Sequence, residues 1–189
     1  GYHNIAIFQN EEVAYLYAIG GNRNALEIFD IRNGVPLYVG NYYGYPNNFV
    51  HVHPNQTDLN PENPSTELYI HDLFVTDNVK GLEGRLLAFA SCINYENMVV
   101  LDVTDPTDIQ AVVNVSDPRI QLGTTGQSGM SNWGLHQAWA DHSKEFLVMN
   151  IEADTRYGFL LDCESMFAEP DYYYNSPSTD TTLQTPFIG

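Results

Sequence analysis

Three histidines open similar segments of the chain: His3 begins HNIAIF, His71 begins HDLFVT and His136 begins HQAWAD. Imidazole is well suited to exchanging a proton near neutral pH and to binding a transition metal. Asp72 follows the second histidine, and Glu152 ends the run EFLVMNIE after the third. Three imidazoles on one axis with these two carboxylates would suit a divalent metal such as zinc, with the carboxylates as ligands or as partners that orient the imidazoles.

A second interpretation of the repeated histidine remains open. A structural residue repeats wherever a fold repeats, so each imidazole could instead donate a hydrogen bond to the neighbouring unit. The residue pattern alone does not decide between a metal site and a set of structural contacts.

Two other segments carry possible metal ligands. His51 and His53 alternate in HVH and would face the same side of a strand, but Pro54 and a glycosylation triplet beside them favour a surface loop. DVTDPTD, from Asp102 to Asp108, is rich in oxygen donors but lacks the glycine of a twelve-residue calcium loop. The candidate cofactor is a divalent metal, zinc or calcium. Neither GxSxG nor a phosphate-binding loop with its lysine occurs, so no catalytic residue is assigned.

The elements that must position the histidines form a repeat. After each short histidine-led strand comes an apolar strand, VAYLYAIG, RLLAFASC or EFLVMNIE, and then a third strand that ends in Asp: LEIFD, MVVLD or FLLD. The histidine and that aspartate are 27, 31 and 26 residues apart, so the order of elements is constant while the loops vary. The first two units continue into a turn and a fourth strand, LYVGNYY or AVVNV.

Four short antiparallel strands in about 40–45 residues are typical of one blade of a β-propeller. We therefore predict an all-β fold over residues 1–167, a β-propeller with about three visible blades, the third unfinished. Since a closed propeller has about 4–8 blades, further sequence or a partner is expected to complete it. The predicted units are 3–42, 71–115 and 136–167, the long loops are 43–68 and 116–133, and the C-terminal tail or linker is 168–189.

The repeat resembles the choice-of-anchor B proteins, which carry LVIVD-type propeller repeats. The resemblance rests on HNIAI from His3, YIHD from Tyr69, VVLDVTDP from Val99 and HQAW from His136, and it covers most of residues 1–165. It implies an exported or cell-surface β-propeller and implies no particular reaction.

The composition favours an extracellular protein. Lys and Arg total 7 against 24 Asp and Glu, a net charge of −17, which disfavours nucleic acid and anionic membrane surfaces as partners. No apolar run approaches the ~20 residues of a membrane helix. Asn55 and Asn114 begin glycosylation triplets, and Cys92 and Cys163 form either one disulfide or two buried thiols.

These observations predict a secreted or cell-surface β-propeller that serves as a structural or binding module. Its loops 43–68 and 116–133 would contact a protein or glycan partner. The alternative is a metal-dependent, hydrolase-like enzyme with the three histidines on the propeller axis and Asp72 or Glu152 as base. A third possibility is a subunit of an extracellular assembly, closed by another chain.

Overall fold

Three antiparallel sheets make up the computed structural model, which describes residues 1–20, 26–42, 70–92, 97–115, 135–151 and 158–168. Sheet one contains β1 (Asn4–Gln9), β2 (Ala14–Ile19), β3 (Leu26–Asp30) and β4 (Leu37–Tyr42). Sheet two contains β5 (Ile70–Val79), β6 (Leu82–Cys92), β7 (Asn97–Asp102) and β8 (Gln110–Val115). Sheet three contains β9 (Leu135–Ala140), β10 (Phe146–Ile151) and β11 (Gly158–Asp162), and α1 (Cys163–Ala168) follows it. The all-β prediction is confirmed for the described residues.

Each sheet is a simple up-and-down meander whose strands pair in chain order. The described strands lie in the three predicted units, apart from Ile70 and Leu135, which begin β5 and β9 one residue early. Loops 43–68 and 116–133 and nearly all of the tail lie outside the described residues. In the described part of the chain, no helix is long and apolar enough to cross a membrane.

The aspartate that ends each third strand caps the turn that follows. Asp30 Oδ1 accepts a hydrogen bond from the Arg32 amide at 2.9 Å, and Asp102 Oδ1 accepts one from the Thr104 amide at 3.0 Å. Asp162 Oδ1 accepts from the Ser165 amide at 2.8 Å and begins α1. A short carboxylate that bonds a backbone amide two or three residues ahead favours a turn or a helix start over a longer strand. The repeated Asp therefore has a local structural role, which is to end the third strand and stabilise the turn or helix that follows.

Two apolar clusters hold the three sheets together, one on each side of sheet two. Tyr17 and Ile28 of sheet one pack with Ala88 and Leu101 of sheet two in the first cluster. The second cluster joins the opposite side of sheet two, which includes Phe89, to sheet three. Because both of its sides are covered, the middle of β6 is completely buried, as shown by zero exposure from Leu87 to Ala90.

The same row of side chains recurs in each sheet because the strand registers agree. In sheets one and two the back row faces the next sheet along the chain, and in sheets two and three the front row faces the preceding sheet. The equivalent rows of the two outer faces take the same names. The back rows are Ala6–Tyr17–Ile28, Phe74–Phe89–Val100 and Trp139–Val148–Leu160, and the front rows are Ile7–Leu16–Phe29, Val75–Ala88–Leu101 and Ala140–Leu147–Leu161. Sheet one thus presents its back row to the front row of sheet two, and sheet two presents its back row to the front row of sheet three.

The two cysteines lie in different clusters and are free thiols. Cys92 is buried between sheets one and two, and Cys163 is buried between sheets two and three. The disulfide that the sequence left open is not formed in the structure, since sheet two separates the two side chains. Burial raises the pKa of each thiol to about 12, which keeps both protonated and unreactive at neutral pH.

Candidate functional site

The three predicted histidines meet where the first strands of the three sheets begin. The ring centroids of His3 and His71 are 4.5 Å apart, and those of His71 and His136 are 4.7 Å apart. The rings are tilted by 46° and 54°, so they form a column with His71 in the middle. This column follows from the contacts of β1 with β5 and of β5 with β9. We call it the histidine column.

A β-bulge places two of the three histidines. Ile70 and Asp72 of β5 pair with the adjacent residues Cys92 and Ser91 of β6, which leaves His71 as the extra residue. In β9, Leu135 and Gln137 pair with Ile151 and Asn150, so His136 is likewise the extra residue. A bulge re-aims the side chain of the inserted residue and is over-represented beside functional sites. The same irregularity at the same position of two sheets explains why both imidazoles turn towards a common line.

A glycine fixes the third histidine. The His3 amide donates a hydrogen bond to the Ile19 carbonyl at 2.8 Å, and the next residue, Gly20, has a φ of +69°. A Cβ added to Gly20 would lie 2.3 Å from the Cβ of His3. Only glycine accepts both this conformation and this close approach, so Gly20 is a positioning residue for His3.

A polar contact beside the column links sheets one and two. Asn4 Nδ2 donates to Asp72 Oδ1 at 2.8 Å, and the same oxygen accepts from the Leu73 amide at 2.8 Å. Asn4 and Asp72 each follow a column histidine, so the contact lies next to the His3–His71 pair. The sequence pointed to Asp72 as a metal ligand or an orienting carboxylate, and the structure shows that it also joins two sheets.

Two buried polar atoms near the column have no hydrogen-bond partner among the described residues. They are Ser91 Oγ, in a residue with no exposure, and Asn150 Oδ1. Ser91 pairs with Asp72, which follows His71, and Asn150 pairs with Gln137, which follows His136. Each unpaired atom therefore belongs to a residue opposite the immediate neighbour of a column histidine. Unpaired buried polar atoms are costly, on the order of 1–3 kcal/mol each. Neither residue was among the site residues predicted from the sequence, although each is a polar residue inside an apolar strand, AFASC or VMNIE.

The predicted metal set is only partly described. His3, His71, His136 and Asp72 lie together, whereas Glu152 falls outside the described ranges, as do His51, His53 and Asn55. Within the described residues alone, no group of three or more His, Cys, Asp or Glu side chains has an arrangement that could hold a metal ion. The metal site stays a prediction.

The other segments singled out from the sequence have local roles. Asp105 in DVTDPTD accepts hydrogen bonds from the Thr107 hydroxyl at 2.7 Å and from the Thr107 amide at 2.8 Å, and these bonds hold the pKa of its carboxyl below the ordinary value. The oxygen-rich segment is therefore organised as a turn. Asn114 lies within β8, an edge strand of sheet two, in agreement with the predicted strand AVVNV. Its glycosylation stays a prediction.

Comparison of the chain with protein-family models, with curated proteins and with solved structures found no match. The resemblance to choice-of-anchor B proteins therefore stays a hypothesis that rests on the sequence motifs. Function has to be argued from the packing of the sheets and from the histidine column.

Proposed function

We propose that the three sheets are consecutive blades of a β-propeller, in agreement with the LVIVD-type resemblance. Three observations support the proposal. The sheets are meanders of chain-consecutive strands, the first strand of each contacts the first strand of the next, and every internal contact brings a back row onto a front row. In a propeller the first strand of each blade lines the central channel, so the histidine column would run along that channel.

The function that this arrangement supports best is that of a binding module, secreted or displayed at the cell surface. The observation that carries the proposal is the convergence of three imidazoles through a repeated bulge. A bulge interrupts the pairing of a strand, and two sheets interrupt it at the residue that joins the column. A ligand at the column would meet imidazole nitrogens together with the Asn4–Asp72 pair. The chain's net charge of −17 favours a ligand that is a cation or the cationic group of a protein or glycan partner.

A zinc titration followed through the histidine side chains tests this function. Zinc is the probe because neutral imidazole is its common ligand. We expect one equivalent of Zn²⁺ to shift the ring resonances of His3, His71 and His136 together in NMR spectra, and His71→Ala to abolish the shift. His142→Ala is the matched control, because His142 is an exposed histidine in the turn between β9 and β10. Shifts confined to His142 and other histidines outside the column would show that the column is a structural contact.

The second candidate is a metal-dependent, hydrolase-like enzyme. The position of Asp72 directly after His71 favours this candidate, since a carboxylate beside imidazoles could accept a proton during hydrolysis. We expect an enzyme of this kind to cleave a p-nitrophenyl ester or phosphate faster than buffered zinc does, and to lose that excess rate in Asp72→Asn. Equal rates for zinc alone, the wild type and the variant would leave the binding module as the function.

The extracellular location rests on the acidic composition and on the two glycosylation triplets. Expression through a eukaryotic secretory pathway, followed by enzymatic removal of N-glycans, tests it. A loss of mass that disappears in Asn55→Gln or Asn114→Gln would support the location, and an unmodified protein would remove the triplets as an argument for it.

A further inference from the structure

Two apolar sheet faces are uncovered by the other residues that the structure describes. On the front of sheet one, Ile5 and Ile7 are 56% and 59% exposed, and on the back of sheet three, Trp139 and Val148 are 43% and 40% exposed. These residues are large and apolar, and they lie side by side on their strands rather than singly. A surface of this kind marks a docking site more often than it marks ordinary solvent-exposed surface.

The inside of the chain shows what kind of surface covers each face. The front row Ile7–Leu16–Phe29 corresponds, strand for strand, to Val75–Ala88–Leu101, which is buried under the back of sheet one.

The back of sheet three has the matching arrangement at the other end of the molecule. The row Trp139–Val148–Leu160 corresponds to Phe74–Phe89–Val100, which is buried under the front of sheet three. The chain already makes a back-on-front contact twice, between sheets one and two and between sheets two and three. The exposed front of sheet one and the exposed back of sheet three are the two surfaces that such a contact joins.

We propose that a second copy of this chain covers both faces. The back of sheet three of one copy would pack on the front of sheet one of the other, and a two-fold axis would repeat the contact. The two copies would then close a ring of six sheets, within the about 4–8 blades of known propellers, and leave no end open. The proposal rests on the proposed blade arrangement, and it is independent of any ligand at the histidine column.

Charge predicts how the association depends on salt. Each copy carries a net charge of −17, so two copies repel one another at low ionic strength. The residues of the two uncovered rows are themselves uncharged, so added salt screens the repulsion without breaking ion pairs within the contact. The dimer is expected to become tighter, by roughly tenfold or more, between 20 mM and 300 mM sodium chloride.

Sedimentation equilibrium of the full chain tests the proposal directly. The wild type is expected to reach twice the chain mass of 21.3 kDa at micromolar concentration in 300 mM salt. Ile7→Lys and Val148→Glu, which place opposite charges on the two faces, are each expected to sediment as monomers. Val35→Lys is the matched control, because Val35 is 73% exposed in the turn before β4 and belongs to neither row, and this variant should remain dimeric.

Mixing the two monomeric variants separates the proposed contact from any other. In a closed heterodimer, the lysine of one copy would face the glutamate of the other at one contact, and the second contact would have the wild-type residues. We expect an equimolar mixture to recover the dimer mass. A monomeric wild type at 200 μM, variants that still dimerise, or a mixture that stays monomeric would each overturn the proposal.

Failure of the dimer can be told apart from failure of the blade arrangement. Nuclear Overhauser contacts between the rings of His71 and His136 report the packing of sheet two on sheet three within one copy. A monomer that shows these contacts contradicts only the proposal that a second copy covers the exposed faces. A protein that lacks them contradicts the blade arrangement itself.

Discussion

Sheet one and sheet two carry equally apolar faces, yet their surroundings differ. The row Val75–Ala88–Leu101 of sheet two is buried, whereas the matching row of sheet one begins with Ile7, which is 59% exposed. Both rows come from the same position in the repeat and pair across strands in the same register. The difference shows that burial in this fold is decided by the neighbouring sheet and not by the composition of the strand. A repeat unit of this kind is incomplete until it has a neighbour on each side.

Truncation of Phe89 should have the largest effect. This ring lies in the back row of sheet two, has no exposure and packs in the cluster with sheet three. Phe89→Ala removes its contacts and leaves a cavity, so the free energy of unfolding should fall by about 3–5 kcal/mol, measured by urea denaturation. A loss below about 1 kcal/mol would show that sheets two and three do not pack as described.

Gly20→Ala should have the next largest effect. The substitution adds the strain of a positive φ and a close approach to His3 Cβ, with an expected total cost of about 2–4 kcal/mol. Gly34→Ala is the matched control, since Gly34 has a φ of +75° but nothing within 4 Å of the added Cβ, and about 1–2 kcal/mol is expected. The NMR signals of the column histidines should shift only in Gly20→Ala. Equal costs and unchanged signals would mean that Gly20 does not position His3.

The turns after the first strands of sheets one and three should differ in their response to pH. Asn10 Oδ1 and the Asp141 carboxylate accept backbone amides in equivalent turns, but only Asp141 titrates. Hydrogen bonds from the Ser143 hydroxyl, and then from backbone amides, lower the pKa of Asp141 to about 2 from 3.8. The folded state therefore gains stability from this ionised group above its unfolded pKa, and it loses that gain as the pH falls from about 4 to about 2.

The comparison of Asp141→Asn with the wild type measures this difference. In urea denaturation at pH 7, Asp141→Asn should have a lower free energy of unfolding than the wild type. At pH 2 this difference in free energy of unfolding should be smaller. Asn10→Ala should cost the same at both values, because the Asn10 side chain has no charge to lose. A difference in free energy of unfolding between the wild type and Asp141→Asn that does not change with pH would contradict the hydrogen bonds assigned to this turn.

The smallest effect is expected for Ile7→Ala at a concentration where the protein is monomeric. More than half of the Ile7 side chain is exposed, so its truncation should change the free energy of unfolding by no more than about 0.5 kcal/mol. The contrast with Phe89→Ala measures how much a neighbouring sheet contributes to the same repeat. A cost above about 2 kcal/mol under those conditions would show that the front of sheet one is covered within one copy.

The sequence predicts the strands and the convergence of the histidines well, because both depend on the repeat. Apolar runs between polar turns predicted the strands of all three sheets, and the repeat predicted that His3, His71 and His136 would occupy equivalent places. What the sequence could not provide was the means of placing them. The bulges at His71 and His136 depend on how two strands pair, and the need for glycine at position 20 depends on a contact with His3 across the sheet.

Other features were missed because they depend on tertiary contacts. Asp162 ends β11 as predicted, but the short helix α1 that follows it was missed, because the burial of its Cys163 and Met166 against sheets two and three is a tertiary contact. Whether Cys92 and Cys163 pair could not be decided without knowing that sheet two lies between them. The sequence predicted that further sequence or a partner would complete the propeller, but the residues that form the two outer faces emerged only from the strand registers.

The central claim is that the three sheets are stacked so that their histidines form one column with His71 in the middle. Selective ¹³C labelling of the histidine rings, with nuclear Overhauser contacts measured between them, tests it most directly. The structure predicts cross-peaks from the ring protons of His71 to those of both His3 and His136, since the centroids are 4.5 and 4.7 Å apart, and loss of both sets in His71→Asn. Cross-peaks that are absent from a folded protein, or that join His71 to neither neighbour, would contradict the column and the sheet packing that creates it.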